Sequence, residues 1–252
     1  AFIINIIRMS DAIRLNKRLS QLGYCSRREA DEYILKNWIL VNGQVAHLGQ
    51  KVYSQDIIEI KHQAKHSQKR KVTILLNKPI GYVSSQPENN YPCASELITM
   101  NRYFPSMASY KIKPTWLQGL APAGRLDIDS TGLLVLTQDG RIAKMLIGQD
   151  SPIEKEYLVT VQGQLSAQGL ALLNHGLSLD GEVLRPTKVS WHDPSKRQLK
   201  FILRQGKKRQ IRRMCEQVNL RVVYLKRVRI GQIHLGDLLL GRWRLLESHE
   251  YF

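Results

Sequence analysis

The sequence predicts an α+β protein with two domains, a small N-terminal one and a larger one built on a central mixed, mainly antiparallel sheet. Helical and strand-like hydrophobic periods follow one another without the regular strand–helix alternation of a parallel α/β fold. A basic segment whose largest aliphatic side chain is alanine interrupts the chain at residues 61–71. The chain has 252 residues, 43% of them hydrophobic, which is enough for two cores. The predicted division is an N-terminal extension (1–11), a small domain (12–60), a basic linker (61–71) and a large domain (72–252).

The charge of the chain points to a polyanionic partner. Lys and Arg total 38 against 21 Asp and Glu, a formal net charge of +17. Such a surplus raises the local concentration of polyanions and speeds their encounter. No stretch approaches the roughly 20 apolar residues that span a bilayer, and the apolar opening AFIINIIRM is too short and lacks a cleavage site. We therefore expect nucleic acid as the partner and no membrane.

The cysteines indicate a reducing compartment. Cys25, Cys93 and Cys215 are odd in number and widely spaced, which fits free thiols in a cytoplasmic protein better than a disulfide framework. Each is interpreted as a small buried hydrophobic residue. We expect a monomer.

The small domain begins with two helices. Leu15, Leu19 and Leu22 recur at helical spacing, and Gly23 follows as a helix terminator. The next helix begins at SRRE, where a serine at the N-cap and a glutamate three residues later form a capping box.

A small sheet completes this domain. WILVNGQVAH predicts two short strands joined by the two-residue turn Asn42-Gly43, a strong hairpin signal. DIIEI predicts a further strand. The basic segment 61–71 that follows is either a solvated tether or a direct phosphate contact.

The large domain opens with a strand in VTILLNKP that turns at Lys78-Pro79. Residues 86–123 are rich in Pro, Ser and Asn and predict a long loop region with one short helix near 94–100. A strand over 133–137 follows, and Asp139 caps the next helix. After it come a strand in KEYLVTVQG, a helix in SAQGLALLNHG, a strand in QLKFILRQG and a helix in KRQIRRMCEQV, with short strands up to the C-terminal region.

The helix KRQIRRMCEQV separates two neighbouring arginines. Its apolar residues fall at i, i+3, i+4 and i+7, the spacing of a core face. These residues are Ile211, Met214, Cys215 and Val218. At roughly 100° per residue, Arg213 points away from this face and can meet phosphate, whereas Arg212 borders the core and needs a carboxylate partner. An ordinary basic surface helix is the alternative.

The residues RLNKRLSQLGYCSRREADEYILKNWILVNGQV and the terminal DIIEI resemble the S4 RNA-binding domain. Basic side chains on the first helix and at the N-terminus of the second suit phosphate binding, although each alone could be a solvated charge. The candidate RNA-binding residues here are Arg14, Lys17, Arg18, Arg27 and Arg28.

One segment of the large domain indicates a functional cleft. In GRLDIDSTGLLVLTQDG, an arginine and two aspartates stand directly before a run as apolar as a core strand. This segment, together with NKPIGYVSS, EKEYLVTV and QGKKRQIRRM, resembles the pseudouridine synthases of the RsuA type. The C-terminal run RRMCEQVNLRVVYLKRVRIGQIHLGDLLLGRW is most similar to members that act on large-subunit ribosomal RNA.

The resemblance implies a role for each site residue. Asp127 would be the catalytic nucleophile, and Arg212 its cationic partner, because a nearby guanidinium favours the ionised carboxylate. Tyr157 would stack on the flipped base, and Arg125 would fill the space that the base leaves. Asp129 is interpreted as a structural residue of the turn. Further RNA contacts are expected from Lys207, Lys208, Arg209 and Arg213.

The resemblance also implies the partners. The expected partner is RNA, namely a large-subunit stem-loop of ribosomal RNA, with transfer RNA as a second class. No cofactor or metal is expected, since His62 and His66 lack a third candidate ligand nearby. Two alternatives stay open: a non-catalytic S4-domain RNA-binding or ribosome-assembly factor, and a hydrolase that uses Asp127 and Asp129 as an acid/base pair.

Overall fold

The computed structural model divides the chain into two compact units. One runs up to Lys71 and also includes Asp139–Lys144, and the other comprises Val72–Gln138 and Met145–Phe252. The residues that the structure describes are 12–69, 71–85, 90–105, 112–148, 150–193, 195 and 197–252. The predicted extension 1–11 and parts of the predicted loop region 86–123 lie outside this set. None of the helices formed by the described residues has the length and hydropathy to cross a membrane.

The first unit combines short helices with short strands. Its elements are β1 (Ile13–Arg14), α1 (Leu15–Gln21), α2 (Arg27–Leu35), β2 (Ile39–Val41), β3 (Gln44–Val45), β4 (Lys51–Val52), β5 (Ile58–Ile60) and α3 (His62–Lys69). The strands pair as β3–β2–β5 and, separately, β1–β4.

Local sequence signals explain the start of α2 and the turn between β2 and β3. The Ser26 side chain accepts from the Glu29 N–H, and the Ser26 N–H donates to the Glu29 carboxylate at 2.6 Å, so the predicted capping box is confirmed. Burial by itself would raise the pKa of Glu29, but hydrogen bonds from Lys71 and Ser26 outweigh it and hold that pKa below its usual range. Asn42 and Gly43 have φ of 51° and 78°, as the β2–β3 turn requires.

The first helix buries part of its predicted face. Leu15 and Leu19 lie in the core of the first unit. Leu22 is exposed because α1 ends one residue earlier, at Gln21, so its expected place on the apolar face is wrong. Gly23, with φ of 77°, follows directly after this end.

The predicted linker is largely helical. Within residues 61–71, α3 packs its buried Ala64 into the core of the first unit. Gln68 Nε2 donates to the Tyr33 hydroxyl at 2.8 Å. The expectation of a solvated tether is therefore wrong. A helix can dock through one small residue and one satisfied polar group, so the lack of large aliphatic side chains was misleading.

The second unit contains the central sheet. From Val72 onward the elements are β6 (Thr73–Lys78), β7 (Ala121–Pro122), β8 (Thr131–Thr137), α4 (Gly140–Ile147), β9 (Lys155–Gln162), α5 (Ala167–Asn174), β10 (Ser178–Leu179), β11 (Glu182–Val183), β12 (Lys188–Trp191), β13 (Gln198–Leu203), α6 (Gln210–Gln217), β14 (Arg221–Ile230), β15 (Ile233–His234) and β16 (Trp243–Leu245). The part of α4 up to Lys144 belongs to the first unit. Short 3-10 helices occur at Ala94–Leu97, Met100–Arg102 and Pro114–Leu117.

The sheet is mixed and mainly antiparallel, as predicted. Its strand order is β12-β13-β9-β14-β8-β6-β16, with β15 beside β14 and β7 beside β8. Among the described strand pairs of this sheet, β14–β8 is parallel and the others are antiparallel.

The predicted helix caps also form: the Asp139 carboxylate accepts from the Arg141 N–H, and the Ser166 side chain accepts from the Gly169 N–H.

The parallel pair depends on a glycine. Every residue of β8 is buried, and Gly132 lies opposite Arg227 of β14 with φ of 102°. A Cβ at this position would overlap the backbone oxygen and nitrogen of Arg227. Glycine is therefore needed both for the backbone conformation and for the close approach of the two strands.

Substitution of Gly132 by alanine should destabilise the second unit. We expect Gly132→Ala to lower the free energy of unfolding by about 2 kcal/mol or more, because strain and overlap coincide in a fully buried strand. Gly206→Ala is the matched control, since its φ lies outside the left-handed region and a Cβ there meets nothing within 4 Å. Urea denaturation of both variants measures the difference, and equal stability would contradict the interpretation.

Candidate active site

The loop before β8 is held rigidly against the preceding part of the second unit. The Ser84 hydroxyl donates to the Leu126 carbonyl at 2.6 Å and accepts from the Leu126 N–H at 2.8 Å. The Ser130 N–H donates to the Asp127 carbonyl at 3.0 Å. These bonds define the backbone on both sides of Asp127, so its carboxylate is carried by an ordered turn.

The structure brings the four predicted site residues to one cavity. The cavity has a volume of about 910 Å³, and Arg125, Asp127, Tyr157 and Arg212 all line it. Arg125 and Asp127 come from the loop before β8, Tyr157 from β9 and Arg212 from α6. Residues far apart in sequence thus converge on one hollow of the second unit.

The carboxylate partner of Arg212 is Asp129, not Asp127. Arg212 is buried, and its Nη2 donates to the Asp129 carbonyl at 2.9 Å and lies 3.3 Å from Asp129 Oδ1. Among the described residues, no ion pair or side-chain hydrogen bond reaches the carboxylate of Asp127. The predicted pairing of Arg212 with Asp127 is therefore wrong. Two carboxylates lie two residues apart, and helical angle alone could not tell which one the arginine would meet.

Asp129 also binds Arg209, the N-cap residue of α6. Arg209 donates from Nη1 and Nη2 to the two Asp129 oxygens, both at 3.1 Å. Arg209 itself has left-handed backbone angles, φ 51° and ψ 30°, at the N-cap of α6. The Asp129 carboxylate thus connects the loop before β8 to two arginines at the start of α6. This is a larger role than the one expected from the sequence, in which Asp129 only shapes the turn.

A buried cation lies beneath this loop. Lys78 is fully buried, and its Nζ donates to the Pro79 and Ser130 carbonyls, each at 2.8 Å. Burial lowers the pKa of Lys78 to about 8, and the charges of Asp127 and Asp129 oppose this shift. Lys78 therefore contributes positive potential at the site and holds the loop through carbonyl oxygens.

The basic residues predicted around α6 divide into two groups. Lys207, Lys208 and Arg209 line the cavity. Lys207 forms an ion pair with Glu182. Arg213 lies outside this cavity and pairs with Asp180 at 2.6 Å, so it does not contribute to the wall of the candidate site.

The basic cluster predicted in the first unit is available for a ligand. Within the described part of the chain, none of its five members forms an ion pair, and all are exposed except one that is half-buried. The exposed members are Arg14, Lys17, Arg27 and Arg28, and the half-buried one is Arg18. Cations without partners are able to neutralise phosphates.

Two cationic residues of the cavity wall were missed. Lys155 shares a strand face with Tyr157, and burial, with a further contribution from Arg227, lowers the pKa of Lys155 to about 8. Arg227 is 3% exposed and lies opposite Tyr157 in the register of β14 and β9. Lys155 stands two residues before Tyr157 in the predicted strand, and this spacing could have indicated that both side chains share one face. Nothing in the sequence marked Arg227, because its position depends on strand pairing.

Metal ligation has no support in the described residues. Among them, no group of three or more His, Cys, Asp and Glu side chains could hold a metal ion. Cys25 and Cys215 are buried, as predicted, and burial raises the pKa of each thiol to about 12.

Comparisons with known families match both units. Residues 72–217 match the RNA pseudouridylate synthase family, and residues 13–58 match the S4 domain. The resemblance inferred from the four ordered motifs and from the N-terminal domain is therefore confirmed.

Curated relatives extend the similarity over nearly the whole chain. The dual-specificity RNA pseudouridine synthase RluF of Escherichia coli (strain K12) is 33% identical over 95% of this chain and 77% of its own length. An uncharacterized RNA pseudouridine synthase of Aquifex aeolicus is 32% identical over 94% of this chain and 92% of its own. A crystal structure of a pseudouridylate synthase shares the fold, with a TM-score of 0.63 and 24% identity, and the alignment covers 94% and 96% of the two chains.

Removal of the Asp129 carboxylate should cost stability. Asp129→Ala leaves the buried guanidinium of Arg212 without its ion pair, and we expect the free energy of unfolding to fall by about 1–3 kcal/mol. Asp150→Ala removes an exposed pair with Arg185 and should leave the melting temperature unchanged. Calorimetry of both variants tests this, and an equally stable Asp129→Ala protein would show that the carboxylate does not support Arg212.

Proposed function

The chain belongs to the RNA pseudouridylate synthase family, and we propose that it isomerises a uridine of large-subunit ribosomal RNA with Asp127 as the nucleophile. Membership makes the protein an RNA-modifying isomerase with an S4 RNA-binding domain. The observation that carries the proposal is the convergence of Arg125, Asp127 and Tyr157 on one cavity.

The chemistry asks for an ionised carboxylate at an extruded nucleotide. Asp127 attacks the target nucleotide and the bond to uracil N1 breaks. The rotated uracil then rejoins the ribose through C5, and the bond between the nucleotide and the Asp127 oxygen breaks, which restores the carboxylate. The proton on C5 leaves and N1 gains one, so the reaction is an isomerisation without a net redox change. Because no side chain of the described residues pairs with the Asp127 carboxylate, its oxygens are free to react. The buried ammonium of Lys78 lies beneath the same loop, where it donates to the Ser130 carbonyl.

Two further residues fit the handling of the base. Extrusion of a stacked uridine costs a few kcal/mol, which contacts within the enzyme must offset. Arg125 is exposed at the cavity wall, and we assign it to fill the space that the extruded base leaves in the RNA. Tyr157 is half-buried in the same wall, where its ring is assigned to stacking on the flipped base. Arg212 is assigned an indirect role: it bonds to Asp129, which lies in the same loop as Asp127.

The two units divide the work. We assign phosphate binding to the basic cluster of the first unit and to Lys207, Lys208 and Arg209 of the second. Residues 12–60 thus serve as the RNA-binding domain and residues 72–252 as the catalytic domain. A large-subunit stem-loop is the assigned substrate, with transfer RNA as a second class to be tested, and the protein is assigned to the cytoplasm as a monomer.

The alternatives fit the structure less well. A non-catalytic RNA-binding factor has no need of a cavity that gathers an aspartate, a tyrosine and arginines from separate elements. A hydrolase with Asp127 and Asp129 as its acid/base pair would need the second carboxylate free, but Asp129 already binds Arg209 and Arg212.

Replacement of the nucleophile should separate catalysis from binding. We expect Asp127→Asn to lower single-turnover tritium release from uridine-labelled ribosomal RNA by on the order of a thousandfold or more, since the reactive carboxylate is lost. RNA affinity in a filter-binding assay should be nearly unchanged. Asp237→Asn, at an exposed position, is the control and should retain full activity. Equal loss of affinity and activity in Asp127→Asn would argue against a nucleophile.

The basic cluster should govern the salt dependence of binding. Each neutralised phosphate contributes about 0.7–0.9 to the slope of log affinity against log salt. The double variant Arg27→Gln, Arg28→Gln should therefore reduce this slope by about 1.5. Lys188→Gln, whose ammonium already lies 3.4 Å from Glu154, is the control. An unchanged slope in the double variant would place the RNA elsewhere.

A further inference from the structure

The guanidinium of Arg227 is bonded to three elements around the candidate site. Its Nε donates to the Leu133 carbonyl of β8 at 2.7 Å, and its Nη1 donates to the Arg125 carbonyl at 3.3 Å. The same Nη1 lies 3.5 Å from the Tyr157 hydroxyl oxygen, and the guanidinium carbon lies 5.9 Å from the centre of the Tyr157 ring. One side chain thus contacts the loop of the nucleophile and the stacking residue.

This cation has no anionic partner in the described structure. No described carboxylate forms an ion pair with Arg227, and its buried Nη2 has no hydrogen-bond partner. Lys78 and Lys155 lie near this cation: burial lowers the pKa of each lysine, and Arg227 contributes further in the same direction. Burial of an unpaired charge is costly, and an apolar side chain of similar volume often gives equal or greater stability. Packing alone therefore does not explain an arginine here.

We propose that Arg227 is a positioning residue for the isomerisation, acting through Tyr157 and through the backbone of Arg125. The inference rests on the proposed function of the same cavity. The hydrogen bond from Arg227 to the Tyr157 hydroxyl oxygen holds the ring in one position and directs the hydroxyl proton away from the guanidinium. The bond to the Arg125 carbonyl fixes the loop two residues before Asp127.

The position of Arg227 is itself set by the sheet. The close approach at Gly132 brings the β14 backbone against β8, so the Arg227 side chain starts directly beneath the loop. Arg229, two residues further along β14, instead binds Glu156 at 2.9 Å and Glu154 at 3.5 Å. Arg227 and Arg229 therefore differ: Arg229 is ion-paired, whereas Arg227 has no ion pair among the described residues and contacts the site.

Arg227→Met and Arg229→Met form a matched pair for the test. We expect Arg227→Met to keep or raise the melting temperature and to keep the RNA affinity, while the single-turnover rate of tritium release falls by about a hundredfold, as for other small misplacements of reacting groups. Arg229→Met should lower the melting temperature and keep the rate. Arg227→Lys, which retains a donor without the planar fork, should recover part of the lost rate.

A double-mutant cycle with Tyr157→Phe tests the route of action. If Arg227 works through the Tyr157 hydroxyl, the effect of Arg227→Met should shrink in the Tyr157→Phe background. Additive effects of the two changes would overturn the route through Tyr157, and a wild-type rate in Arg227→Met would overturn the whole inference. Either result with an active wild-type protein and an inactive Asp127→Asn variant would leave the proposed function intact.

A second measurement does not depend on turnover. In protein labelled with 3-fluorotyrosine, the ¹⁹F resonance of Tyr157, identified by its absence in Tyr157→Phe, should shift or broaden in Arg227→Met and stay in place in Arg229→Met. An unchanged resonance in Arg227→Met would show that Arg227 does not position the ring. A moved resonance supports the inference even if the chosen RNA is not converted.

Discussion

The parallel contact between β8 and β14 at Gly132 is the constraint on which the site depends. Because Gly132 has no side chain, the backbone of Arg227 can lie against β8, and β14 can run between β8 and β9. That order places Tyr157 of β9 and the loop that ends in β8 on either side of one buried guanidinium. The cavity, Asp127 and Tyr157 therefore depend on a single piece of backbone geometry.

Charge around the site is arranged so that one carboxylate is bound and the other is free. Asp129 binds Arg209 and Arg212 and so connects α6 to the loop. Asp127, two residues earlier, has no such partner among the described residues, yet it lies within the field of Lys78. The oxygens of Asp127 therefore stay accessible to a substrate, whereas a direct ion pair would compete with it.

The cations that we propose as RNA contacts in the first unit have no ion-pair partners in the described structure. The basic residues at the start of α1 and α2 have no ion pairs within the described structure, and surface charges of this kind contribute little to stability. Their free charge is instead suited to phosphate, which explains how a chain with a net charge of +17 can serve a polyanionic substrate.

The sequence by itself determined the local structure: the Ser26–Glu29 capping box, the Asn42-Gly43 turn, the core face of α6 and the family to which the ordered motifs belong. These depend on neighbouring residues or on periods of two and 3.6, which can be read along the chain. Tertiary structure was needed to place α3 against the core of the first unit, Arg212 on Asp129, and the Arg227 guanidinium beside Tyr157. Each of these depends on which distant strands and helices become neighbours, and that choice is made by packing of the whole sheet.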